Sequence, residues 1–147
     1  VIAYLRQRLS EDRGSMSLGA AATVPALFLI GAILLMAGRL ALAEGSVQSA
    51  ANEAARAASI SRTQAIAGAQ ASSTAASTLA NANLKCSSTN VATDLSAFNQ
   101  PVGQVGAVTV TVTCVVPLAD LAIPGVGGTR TITSTGTSVI DAYRERA

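Results

Sequence analysis

Between Arg13 and Arg39 no side chain carries a charge, and this run, residues 14–38, constrains the chain more than any other feature. It spans about 25 residues; at roughly 1.5 Å of rise per residue, a helix of that length crosses a hydrocarbon core about 30 Å thick with room for tilt. Charged side chains flank it on both sides: Arg6, Arg8 and Arg13 with Glu11 and Asp12 before it, Arg39 after it. The basic excess lies on the short N-terminal side. The bias that keeps basic flanks in the cytoplasm therefore places residues 1–13 inside and the rest outside, as a single-pass, N-in chain.

The remainder supplies little material for a core. Half of the 147 residues count as hydrophobic, but only 3% are aromatic and there is no His and no Trp. Beyond the apolar run much of the chain is Ala, Ser and Thr, which bury little apolar area each. The net charge of +2 resides in residues 1–39, where four Arg face Glu11 and Asp12; residues 40–147 balance six against six. No basic patch argues for nucleic acid.

Catalytic constellations are missing as well. Without His there is no Ser-His-acid triad, and neither a Gly-x-Ser-x-Gly elbow nor a phosphate-cradling Gly-rich loop ending in Lys-Ser/Thr occurs. Asp94 and Asp120 could in principle form a carboxylate pair, but both read as solvated surface charges. The expectation is a non-enzyme with no cofactor, no metal and no small-molecule substrate.

The two cysteines, Cys86 and Cys114, both fall on the expected outer side, where thiols are oxidised, and are expected to pair. An index argument agrees. In an antiparallel hairpin opposed residues have a constant index sum, and pairing 86 with 114 centres the turn on Gln100, inside the turn-like residues 99–103.

The chain divides into a polar leader or cytoplasmic tail (1–14), a transmembrane and extended helix (15–60), an Ala/Ser-rich second helix or stalk (61–84) and an extracytoplasmic β domain (85–147). The leader has helical character in VIAYLRQRL and is expected to stop at Gly14. Pro25 cannot donate to the carbonyl four residues earlier, so a kink is expected there. Beyond Arg39, LALAEGSVQSAANEAARAASI continues as helix, with Ala50, Ala54 and Ala58, and Ala51, Ala55 and Ser59, repeating every four residues. Such a face either admits another helix closely or is simply exposed.

Ser61 and Gln64 have the form of a capping box, which sets a second helix over 62–82 with Ile66, Ala69, Ala76 and Leu79 along one side. A flexible Ser/Thr stalk is the competing reading. From Lys85 the period becomes two: Val108, Val110, Val112, Cys114 and Val116 alternate with Thr109, Thr111 and Thr113. Weaker runs at 89–98 and 129–140 complete about three strands, and PLADLAIPG, with Pro117 and Pro124, leaves room for one turn of helix. The fold class is α+β: a long N-terminal helix, an Ala-rich second helix and a small antiparallel sheet with one disulfide.

The stretch RGSMSLGAAATVPALFLIGAILLMAGRLALAEGSVQSAANEAARAAS resembles the N-terminal segment of TadE-like minor pilins, small pseudopilins of the bacterial Tad (tight adherence, Flp-type) pilus machinery. VTVTVTCVVPL and the closing AYRER resemble outer domains of the actinobacterial type. The resemblance implies that prepilin peptidase cuts after Gly14 to leave Ser15 as the new N-terminus. It matches Pro25 to the family's early Pro, and Gly38 with Arg39 to its outer Gly-Arg pair, Arg39 serving as membrane-interface anchor. The partners it implies are other Tad pilins and pseudopilins, Tad platform proteins, prepilin peptidase and membrane lipid.

One departure stands out: Gly19 and Ala20 occupy the positions where the family has Glu and an aromatic residue. An accessory subunit, an initiating subunit and an uncut anchor all stay open. The alternative from a different class is a secreted binding module, its signal peptide cleaved after Ala43 at the Ala41-Leu42-Ala43 site.

Overall fold

The computed structural model describes residues 2–119 and 127–143, with side chains from Thr23 onward. Its elements are α1 (Ile2–Ser59), α2 (Gln64–Asn81), β1 (Ser88–Asp94), a 3-10 turn (Ser96–Asn99), β2 (Gly106–Pro117) and β3 (Thr129–Ile140). The fold is α+β. The stretch PLADLAIPG lies largely outside the described residues.

Helix α1 runs through Gly14 rather than stopping there. A single glycine costs a helix only about 1 kcal/mol, a cost that Arg13, Met16, Leu18 and the three alanines at 20–22 help to offset. Pro25 lies within α1. The chain forms two compact units, Val1–Gly38 and Arg39–Ala147.

The second unit is a two-layer arrangement in which the last part of α1 and all of α2 cover one face of the sheet. Helix α1 ends where Ser61 folds back: its amide donates to Ala58 O at 3.1 Å and its hydroxyl to Ala57 O at 3.0 Å. The capping box expected at Ser61 and Gln64 is therefore not formed. Thr63 caps α2 instead, with an extended backbone (φ −124°, ψ 153°) and its hydroxyl accepting from Ile66 N at 3.3 Å. An N-cap needs that non-helical backbone and a free oxygen, and the Ser61 hydroxyl is already committed to α1.

Residues expected as helix or stalk thus form helix, but its buried face differs from the expected one. Ala67, Ala71, Ala75 and Leu79 are buried, whereas Ile66, Ala69 and Ala76 face outward. The buried set repeats every four residues, and its small side chains let the helix lie close to its neighbours.

The sheet order is β1-β2-β3, with both pairings antiparallel. Central β2 behaves as its alternation demands: Val108, Val110, Val112, Cys114 and Val116 are buried, and the threonines between them face the other side. That outer face continues into β3 through hydroxyl pairs Thr111–Thr135 (3.1 Å) and Thr113–Thr133 (3.2 Å).

The β1–β2 register departs from the index argument. Thr89, not Cys86, stands opposite Cys114, so the connection is centred between Pro101 and Val102 rather than on Gln100. It is no tight hairpin: Leu95, Ala97 and Phe98 of the 3-10 turn and its approach tuck into the core. Gly106 makes room for this, because a Cβ there would stand 2.7 Å from the Ala97 side chain.

Candidate functional site

The apolar part of α1 is the first candidate. Among the described residues one helix is long and apolar enough to cross a membrane, at Thr23–Ser59 with a mean hydropathy of 2.2 in its best window. From Thr23 to Gly38 almost every side chain is exposed, including Leu27, Phe28, Leu34 and Leu35. Such large apolar groups left bare on all sides suit a lipid solvent or the flanks of other apolar helices, not water. Leu27, Phe28 and Leu35 border a shallow apolar concavity whose floor is Gly31 and Ala32.

The pattern changes at Gly38. From Ala43 onward one face of α1 is buried, through Val47, Ala50, Ala51, Ala54, Ala55 and Ala58, at the spacing of a helix packed on a core. Arg39, exposed, stands at the head of this second part. Gly14 and Ser15 belong to the α1 backbone, and their side-chain surroundings lie outside the described residues.

The small-residue face of α1 is thus covered within the protomer. Strand β3 lies beneath it, with Gly136 under Ala51, and Ser59 Oγ meets Ser138 Oγ at 2.9 Å. Helix α2 flanks it, where the Thr78 hydroxyl donates to Glu53 Oε2 at 2.6 Å. This face serves the fold.

The disulfide joins Cys86 to Cys114 with the Cα atoms 5.4 Å apart. Cys114 is fully buried on β2, and Cys86 sits just ahead of β1, so the bond clips the entry of the sheet to its centre. Asp94 is fully exposed at the end of β1. The Ser96 amide (3.0 Å) and the Ser96 hydroxyl both bond its carboxylate, holding its pKa below the usual carboxylate value. Asp120 lies outside the described residues. Tyr143 is exposed.

One feature had no signal in the sequence. Where α1 passes the outer edge of β3, a polar groove of about 590 Å³ opens between them, walled by Glu44, Gly45 and Gln48 on one side and by residues 130–134 on the other. At its far end Gln48 Nε2 donates to the Thr135 carbonyl at 3.1 Å. Gln48 reads as an ordinary exposed helix residue until the crossing of α1 over β3 is known.

Comparison with protein-family models, with curated proteins and with solved structures gives no match.

Proposed function

We propose that the chain is a membrane-anchored, TadE-like minor pilin with a structural part in Tad pilus assembly. The observation that carries this reading is the two-part character of α1. From Thr23 to Gly38 its side chains are almost all exposed, and from Arg39 the same helix becomes one wall of a disulfide-stapled domain. The N-terminal sequence likeness through Gly14, Ser15, Pro25, Gly38 and Arg39 supports the family part of this reading.

In this reading the apolar segment rests in the cell membrane with the basic N-terminus in the cytoplasm, and Arg39 marks the outer interface. Prepilin peptidase cuts between Gly14 and Ser15. The secretion platform then withdraws the helix from lipid into a bundle of neighbouring pilin helices, where the bare apolar faces find protein partners. The outer domain stays extracytoplasmic, its disulfide suited to an oxidising compartment. No residue performs chemistry on a substrate, and the work is done by packing. With Gly19 in place of an acidic residue, the chain brings no carboxylate of its own to a neighbour's N-terminal amine.

The secreted-module reading has an observation against it. Ala43 is buried in mid-helix in the folded unit, so cleavage after it would sever α1 inside its own packing face. Mass spectrometry of the mature chain from its native membrane fraction separates the readings. A terminus at Ser15 supports the pilin, a terminus at Glu44 supports secretion, and a chain intact through Gly14 supports a plain anchor.

A further inference from the structure

Three hydrogen bonds fix which way the main chain of β3 points. The Ser87 amide donates to Val115 O at 2.8 Å, so odd-numbered residues of β2 turn their main-chain groups toward β1 and even-numbered ones toward β3. The bond from Leu118 N to Gly128 O (3.0 Å) continues the even set. In β3, accordingly, Ile132 and Ser134 bond to β2, while Thr131, Thr133, Thr135 and Thr137 present N–H and C=O to the free edge. The donation of Gln48 to Thr135 O is the third bond and agrees.

Among the described residues, this edge lacks most of the devices that keep open edges from pairing. β3 is 12 residues long, contains no Pro and carries a single charge, Arg130; the other edge, β1, has only 7 residues. Gln48 blocks the edge at Thr135. On the N-terminal side of that block the groove opens, and Gly45 leaves its helix wall clear, since a Cβ there would meet nothing within 4 Å.

We propose that this groove takes up an extended segment of another polypeptide as an added strand, main chain to main chain on Thr131 and Thr133. Two charges in the walls define the segment's chemistry. Glu44 on the helix wall calls for a basic side chain on the helix-facing side of the incoming strand, and Arg130 at the mouth calls for an acidic one. Side chains on one side of a strand are two residues apart, so a basic and an acidic residue at i and i+2, with small residues between, fit the groove. The proposal concerns the outer domain alone and stands apart from the pilin reading.

The probe is a fluorescent peptide, acetyl-Val-Thr-Lys-Thr-Glu-Thr-Val-amide, titrated by anisotropy against the full chain in detergent micelles. Saturable binding is expected. N-methylation of the peptide's edge-facing amides should weaken it by about tenfold or more. Thr133→Pro should do the same, because the Thr133 amide points outward and proline there removes a free donor without breaking a ladder bond. Glu44→Gln should weaken it several-fold. Absence of saturable binding, or binding indifferent to N-methylation, overturns the proposal; the methylated peptide decides even if the proline variant fails to fold.

Discussion

Gly136 of β3 lies directly beneath the backbone of Ala51 in α1: a Cβ at 136 would overlap the Ala51 carbonyl and stand 2.6 Å from the Asn52 amide nitrogen. Helix and strand meet there backbone to backbone, with no side chain between them. The alanines along α1 and the glycine in β3 are two halves of one contact, and together they set the distance between the layers.

Gly136→Ala should therefore destabilise the folded unit that begins at Arg39 by about 3 kcal/mol, because backbone, not a flexible side-chain tip, must move. Gly45→Ala is the matched control. It faces open space on a helix and should stabilise by about 0.5–1 kcal/mol. Thermal denaturation of both variants in the same micelles checks the pair; equal midpoints would contradict the close approach.

The disulfide closes a separation of 28 residues. In the chain-entropy model such a loop contributes about 3.5 kcal/mol, which for a domain this size corresponds to roughly 15 °C in Tm. Cys114→Ala, or reduction of the parent chain, should lower the midpoint by that order. Identical midpoints with and without reductant would refute it.

Asp94 gives a pH dependence whose sign follows from its bonds to Ser96. Those bonds favour the charged carboxylate, so its folded pKa lies below the unfolded value of 3.8. Its contribution is present above that unfolded value and is lost as pH falls through the folded one. Asp94→Asn should lower stability slightly at neutral pH and flatten the fall on the acid side, so that variant and parent converge below the folded pKa. Titration of the Asp94 carboxyl by NMR should find a pKa below 3.8; a raised one would contradict the geometry.

How much of this the sequence discloses depends on the kind of signal. Strand β2 is legible because valines and threonines alternate strictly, and a period of two in β-branched residues has one reading. The buried face of α2 is not, because Ile66 and Leu79 dominate any apolar stripe while the narrow seat on the layers selects Ala67, Ala71 and Ala75. Alanine is too weakly apolar to announce its own side.

Cysteine pairing is legible and register is not: a disulfide needs about 5–6 Å between Cα atoms, which a residue ahead of the strand meets as well as one opposite. The groove at Gln48 depends on where α1 crosses β3. Nothing local to the sequence encodes that crossing except Gly136, whose meaning appears only once Ala51 is seen above it.

The account rests on an apolar helix seated in lipid, with a folded domain beyond Arg39 on the outer side. Alkaline carbonate extraction of membranes from cells making the full chain, paired with protease treatment of intact spheroplasts, tests this directly. The account predicts a chain that stays in the membrane pellet and loses its disulfide-bonded C-terminal domain to the external protease. A chain released by carbonate, or one whose C-terminal domain is shielded until the cells are broken, would contradict it.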